Sequence, residues 1–373
     1  MNAGNRAAPG FPAPRPGGRA AVLAGLGAHL PPRALDNAEL CGGRPVGDEW
    51  IRARIGAGSR RIADGEAVAD LAVRAGRRAL AAAGTPAADA VVVVSTAPER
   101  LCPAAAPEVA YRLGLGNVPA FDLAAGCSGF LYGLAVSASM VTSGTAGRVL
   151  LVASDVFSAF MDPADWLMRA IFGDGAGAVV LRAGTPGEPG VIGPFDLGSD
   201  GGQADLLEIP GGGARSRKRP PGAERDGGDG GAGPFGAGGA GGAGGADSPY
   251  FRMDGPAVRK QAVVGMSDSV TRALDAAGWA LPDLDALVAH QANQRILDGL
   301  AAELGLPPER VLSHIEHYGN TASASVPVML AQAAAAGTLR PGQRVALTAF
   351  GAGLAWGSTT LVWPDVRALT DDH

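Results

Sequence analysis

At 373 residues with 47% hydrophobic content, the chain can bury a sizeable core, as two ordinary domains or one large duplicated unit. A charged fraction of 18% and a formal net charge of −5 exclude the basic footprint of a nucleic-acid binder, and no apolar run approaches a membrane span. Three widely spaced cysteines, Cys41, Cys102 and Cys127, with no CxxC, suggest neither a disulfide framework nor a zinc site, and they fit a reducing cytoplasm.

Residues 1–19 are rich in Pro, Gly and Ala and read as a disordered tail. They hold no signal-peptide core, and their lack of serine speaks against a transit peptide. Ala20–Gly27 is the first strand. Its Gly25-Leu-Gly27 has the start of a dinucleotide fingerprint, but Pro31 and Pro32 fall where the helix should open, so that reading is rejected. Asp48–Arg61 sets Trp50 among four arginines. It is either a solvated surface loop or a clamp in which Trp50 stacks on a planar ring and an arginine, Arg54 among them, pairs with phosphate. Glu66–Ala83 has helical periodicity, Ala90–Ser95 is a valine-rich buried strand, and Pro103–Leu113 is a further helix.

Ala120–Leu123 reads as the end of a buried strand, and the small residues Ala124–Gly126 allow a tight turn. Phe130, Leu131, Leu134, Val136 and Met140 then mark a helix apolar nearly all round, closed by Thr142–Gly144. Cys127 falls in its first turn, where unpaired N–H groups and the helix macrodipole favour negative charge. That predicts a lowered thiol pKa and a nucleophilic thiolate. The competing reading is a small core cysteine. A strand at Arg148–Ser154 follows. Gly173–Gly177 resembles a phosphate loop but leads into the β-branched strand Ala178–Leu181, so tight turning is the expected role. Val191–Leu197 is a further strand. Gly211–Asp247 is dominated by Gly, carries the basic run Arg215–Arg219, and reads as a disordered insertion.

The second half repeats the alternation: a helix over Gly255–Ala277, a strand at Leu284–Ala289 running into His290–Arg295, a helix to Leu304, a small-residue helix after Asn320, and strands Arg344–Ala349 and Ser358–Val362. Helices alternating with buried strands over 20–200 and again over 250–363 give an α/β class. Each half places a polar, reactive sequence just after a strand. His290 directly follows its strand, and Asn320 lies in Tyr318-Gly-Asn-Thr321. His29, His314, His317 and His373 read as hydrogen-bonded core residues; His314 and His317 at i, i+3 lack an evident third metal ligand. A Cys–His–Asn set also occurs in papain-like proteases, but the protease's local cysteine signature is absent.

These segments together resemble β-ketoacyl-acyl carrier protein synthase III, of the thiolase superfamily. The resemblance rests on Asp48–Gly56, Phe121–Leu134, Phe172–Ala178, Gly198–Gly201, His290–Ile296, Gly319–Thr321 and Phe350–Ser358, in order, from about Ala20 to Trp363. It implies a five-layered αβαβα fold of two similar halves, a cytoplasmic homodimer, no metal, and no cofactor beyond acyl-CoA as substrate. By the same resemblance Cys127 takes an acyl group from acyl-CoA. His290 and Asn320 then stabilise the enolate formed as malonyl-acyl carrier protein loses carbon dioxide. The backbone N–H groups of Cys127 and Ala352 form the oxyanion hole. Trp50, Arg54, Trp166 and Asn293 form the CoA-binding set, with Trp166 where some relatives carry an arginine. Cys102 stands where some relatives present a phenylalanine across the dimer interface into the acyl pocket. Ala302-Glu303 replaces a lysine pair used for carrier docking, leaving Arg259, Lys260, Arg295 and the run Arg215–Arg219 as candidates. The rival readings are a non-decarboxylating acyltransferase and a catalytically silent partner subunit; Asn320 speaks against the first, and the retained Cys127, His290 and Asn320 against the second.

Overall fold

The computed structural model describes residues 18–43, 47–217 and 247–371. The chain lays down β1 (Ala20–His29), β2 (Ala90–Val94), β3 (Ala120–Leu123), β4 (Arg148–Asp155) and β5 (Gly175–Gly184) in one sheet. It then crosses to a second sheet with β6 (Phe195–Ser199), β7 (Ala286–Ala289), β8 (Arg344–Gly351) and β9 (Ala355–Val362). β10 (Ala368–Leu369) returns to the first sheet beside β1. The strand orders are β10-β1-β5-β4-β2-β3 and β7-β8-β9-β6. In the first sheet β4, β2 and β3 run parallel and β5 is antiparallel to β1 and β4; in the second, β7 and β8 are parallel and β9 is antiparallel to β8 and β6.

Helices fill the remaining layers. α1 (Asp48–Arg54) lies near the surface; α2 (Val68–Ala82) and α3 (Ala106–Arg112) cover the outer face of the first sheet. α4 (Gly129–Ser143) and α7 (Ser325–Ala335) lie between the sheets and touch both, while α5 (Gly255–Ala277), backed by α6 (Gln294–Leu304), covers the second. The result is the expected αβαβα stack. The continuous valines of β2 are fully buried because helices cover both faces of the sheet. α4 is apolar all round for the same reason: Phe130, Leu131 and Leu134 are at most 1% exposed, each contributing about 1.5–3 kcal/mol of burial.

Several expected boundaries move. β1 runs on to His29, the helix expected over Pro103–Leu113 opens only at Ala106, β6 starts at Phe195, β7 at Ala286, and β9 at Ala355. The N-terminal half therefore does not close on itself, since β6 pairs with β9 of the second sheet. Gly173–Gly177 does not turn tightly. Gly175 and Gly177 lie inside β5, and none of the three glycines has positive φ. A Cβ on Gly177 would stand 2.7 Å from Val328 N and 2.8 Å from Pro327 C, so glycine there lets α7 lie close on the sheet. Of the insertion expected over Gly211–Asp247, residues 211–217 and 247 are described. Gly211 N–H donates to Ser248 O at 2.7 Å, and Ala214–Arg217 forms one helical turn, so this part is ordered. The rest of the insertion, like residues 1–17 of the expected tail and His373, lies outside the described residues. Among the described residues no helix is long and apolar enough to cross a membrane.

Candidate active site

Cys127 sits in a 3₁₀ turn, Gly126–Ser128, at the entry to α4, and is 8% exposed. Gly126 has φ +53°, and a Cβ there would stand 2.9 Å from Ala352 N. Only glycine lets the turn carrying the thiol lie against the Ala352 backbone. The turn also packs against β8 and against the short 3₁₀ segment Ala322–Ala324.

His290 follows β7 directly, its N–H donating to Thr348 O of β8 at 2.9 Å. Asn320 is held by backbone bonds to the other half: Asn320 N–H donates to Ile171 O, and Gly173 N–H to Asn320 O, both at 2.9 Å. The strand end of the second sheet and the loop before α7 thus bring His290 and Asn320 to the same buried region as Cys127.

Burial sets the protonation states. The thiol of Cys127 is pushed up to about 12, first by burial and then by the negative charge of Asp155. This corrects the sequence-based expectation of a lowered thiol pKa: desolvation of the whole turn outweighs the helix start. Burial pushes His290 down to about 4, so it is neutral near pH 7. Its Nδ1 lies 2.6 Å from Ser325 Oγ, and that oxygen already accepts from Gln291 N–H at 3.3 Å. The tautomer in which Ser325 Oγ donates to Nδ1 is the one that carries the ring proton on Nε2. Asn320 Oδ1 accepts from Ala322 N–H at 2.9 Å, which leaves the NH₂ end as the outward donor. The site therefore sets a buried thiol beside a neutral imidazole and an amide whose oxygen is already engaged.

Around this centre the other expected residues fall unevenly. The Trp50 and Trp166 rings touch at 5.6 Å between centroids, tilted by 53°, and the Arg54 guanidinium lies 4.4 Å over Trp50. The clamp residues do meet, but the indoles in contact leave no space for a third ring between them. Asn293 caps α6, its side chain accepting from Arg295 N–H at 2.9 Å. Arg295 donates through Nε and Nη2 to Ala53 O at 3.3 and 3.1 Å and so ties α6 to α1. Arg259 and Lys260 are exposed on α5. Cys102 is also exposed, outside the buried cluster that holds Cys127. Among the histidines, His29 bonds Asp371 as a core residue should. His317 is exposed, and His314 is buried with neither ring nitrogen hydrogen-bonded, so both depart from the expected hydrogen-bonded core role.

Sequence reasoning missed Ser325, Thr96 and Asp155. Asp155 carried a signal: an acid closing the apolar strand Val149–Ala153 has to be satisfied by something special.

A five-layered thiolase fold with a buried Cys, His and Asn converging from its two halves defines a condensing enzyme. The chain matches 3-oxoacyl-[acyl-carrier-protein (ACP)] synthase III over residues 121–201 and the C-terminal part of that family over 274–363. It is 50% identical over 351 residues to beta-ketoacyl-[acyl-carrier-protein] synthase III 3 of Streptomyces coelicolor, covering 93% of this chain and 98% of the relative. It is 50% identical over 353 residues to the synthase III of Pseudomonas aeruginosa, covering 95% and 99%. The crystal structure of 3-oxoacyl-(acyl carrier protein) synthase III from Pseudomonas aeruginosa superposes with a TM-score of 0.82 at 47% identity, over 93% of this chain and 99% of that one. The priming beta-ketosynthase of the R1128 polyketide pathway superposes with a TM-score of 0.81 at 34% identity, over 96% and 99%. The chain belongs to the β-ketoacyl-acyl carrier protein synthase III family, and is an enzyme of that ketosynthase type.

Proposed function

We propose that the protein primes fatty-acid or polyketide synthesis by decarboxylative Claisen condensation of an acyl-CoA with malonyl-acyl carrier protein. Cys127 Sγ bonds to the acyl carbon, the bond from that carbon to the CoA sulfur breaks, and the thiol proton leaves on CoA, while the N–H groups of Cys127 and Ala352 hold the developing oxyanion. The malonyl thioester carbonyl then lies against His290 Nε2–H and the Asn320 amide. As carbon dioxide leaves, these donors stabilise the enolate, whose carbon attacks the acyl-cysteine. Every step uses protein donors alone, with no cofactor.

The observation that carries this reading is the pair of buried neutral groups, His290 against Ser325 and Asn320 against Ala322, each able to present an N–H donor. A donor pair of this kind serves an enolate oxygen, whereas simple acyl transfer to a hydroxyl or amine needs a base. Trp50, Arg54, Trp166 and Asn293 are the residues proposed to hold CoA, and Arg259 and Lys260 to steer the acidic carrier. A homodimer is supported by β3, an unpaired edge strand, with Leu101, Tyr111 and Phe121 exposed on or near it. A cytoplasmic location fits the free thiols. The test is incubation with a panel of acyl-CoAs, intact-mass reading of the adduct, then addition of malonyl-carrier protein and identification of the product. An acyl adduct that discharges to a β-ketoacyl-carrier protein is expected. An acylated enzyme that discharges only to alcohols or amines would replace this reading.

A further inference from the structure

Arg60 lies in the short strand Ser59–Arg61 and is 0% exposed. Its hydrogen bonds go to neutral oxygens: Nη1 donates to Leu35 O at 3.1 Å, and Nη2 donates to Asn37 Oδ1 at 2.7 Å and to Ala170 O at 2.9 Å. Nε is buried without a partner. Burial lowers the guanidinium to about 10, so it stays charged near pH 7. A charge held among neutral dipoles is costly to bury, and an apolar side chain of similar length would fill the same space without that penalty. What the guanidinium adds is the set of segments that its planar fork ties together.

Two of those contacts support the proposed CoA clamp. Asn37 Nδ2 donates to Asp48 Oδ1 at 2.7 Å and to Ala57 O at 2.8 Å, and Asp48 opens α1, which carries Trp50. Ala170 belongs to the short helix Trp166–Ile171, which carries Trp166. The same helix supports Asn320. Ile171 O, next to Ala170, accepts from Asn320 N–H at 2.9 Å, and Gly173 N–H donates to Asn320 O at 2.9 Å. The stem of Arg60 runs against this backbone: a Cβ on Gly173 would stand 3.1 Å from Arg60 Cβ, and one on Gly319 would stand 3.3 Å from it. The chain before Asn320 is tied to the Arg60 strand as well, with Gly58 N–H donating to Glu316 O and Ser59 Oγ to His317 O, both at 2.8 Å.

We propose that Arg60 is a positioning residue that holds Asn320 and the supports of both indoles as one unit, so that seating the CoA nucleotide and aiming the enolate donor are coupled. The inference rests on the reading of Asn320 as that donor and of Trp50 and Trp166 as the clamp. Arg60 acts through Asn37 and Ala170, and its effect is geometric. A donor displaced by about 1 Å from the enolate oxygen can cost on the order of 10²-fold in rate.

Arg60→Met keeps a stem of similar length and removes the fork. The readout is carbon dioxide release from saturating malonyl-carrier protein by enzyme already acetylated on Cys127, so that loading from CoA does not enter. Arg60→Met should lower this rate about 10²-fold in the otherwise wild-type enzyme. In an Asn320→Ala background the same substitution should change it by no more than about 2-fold, because a donor already absent cannot be misaimed. Equal losses in the two backgrounds make Arg60 a support of the fold alone and overturn the proposal, as does a wild-type rate in Arg60→Met. A normal rate in Asn320→Ala by itself overturns the enolate reading, whatever Arg60→Met does. The wild-type protein tests the coupling without a variant, should Arg60→Met fail to fold. Adenosine 3′,5′-bisphosphate, the nucleotide end of CoA without its pantetheine arm, should on binding slow amide hydrogen exchange several-fold in residues 170–173 and 319–322. Bound nucleotide that leaves exchange unchanged in both stretches overturns the coupling, and a nucleotide that does not bind overturns the clamp reading and the coupling with it.

Discussion

Cys127, His290 and Asn320 are all held in uncharged forms, and that state suits two different steps. Burial and the charge of Asp155 push the Cys127 thiol up to about 12, and burial pushes His290 down to about 4, beside the neutral Asn320 amide. His290→Ala and Asn320→Ala should therefore leave acylation of Cys127 within a few-fold of wild type. Release of carbon dioxide from malonyl-carrier protein should fall about 10²–10³-fold for each lost donor. Normal release in Asn320→Ala would remove the enolate role. His314 gives a second prediction at this scale. Both its ring nitrogens are buried without a partner, and burial, with the neighbouring His317 and His290 adding to it, pushes its pKa down to about 3. Its folded pKa lies below the unfolded value of 6.5, so the unfolded chain binds the proton first. The protein then loses stability as pH falls from about 6.5 towards 3. His314→Leu should raise stability by about 1–3 kcal/mol at pH 7, because the unsatisfied ring nitrogens disappear. Its advantage over wild type, read by urea unfolding, should widen as the pH is lowered through that window.

The elements were legible wherever periodicity and burial agreed. The apolar pattern of Phe130, Leu131 and Leu134 marked α4 as packed between layers, although Val136 is exposed, and the valines of β2 marked a strand covered on both faces. The sequence also singles out Cys127, His290 and Asn320, because each follows a strand or turn in its own distinctive local sequence. What stayed hidden depends on contacts between distant segments. Ser325 meets His290 across 35 positions and Asp155 meets Ser323 across 168, and no local pattern encodes such a pairing. Gly177 of β5 was misread for the same reason: its role is set by α7, which the chain adds some 150 residues later. Gly177→Ala tests that role. The added methyl would meet backbone atoms of Val328 and Pro327, which cannot rotate away. A loss of about 1–3 kcal/mol in urea unfolding is expected. A variant as stable as wild type would return Gly177 to a role in chain turning.

At the scale of the whole molecule, Cys102 is the residue that the family resemblance places at a dimer interface. It is exposed and lies outside the cluster around its own Cys127, as a residue offered to a second copy of the chain would be. The unpaired edge of β3, with Leu101, Tyr111 and Phe121 exposed, is the surface on which that copy would pair. If the pairing delivers Cys102 to the partner's pocket, a thiol there leaves more room than a large aromatic side chain, and primers longer or more branched than acetyl should be accepted. Cys102→Phe should then favour acetyl-CoA over a longer acyl-CoA by about 1–3 kcal/mol per methylene that no longer fits, or roughly 10–200-fold. The same substitution should leave alkylation of Cys127 by iodoacetamide unchanged, since the protomer's own site is untouched. Phe121→Glu places a charge on the β3 edge and should yield monomers by light scattering. In that background the added phenylalanine should no longer alter the choice of primer. A Cys102→Phe enzyme with an unchanged acyl-CoA profile removes Cys102 from the pocket. A changed profile that persists in the monomer places it in the pocket of its own chain.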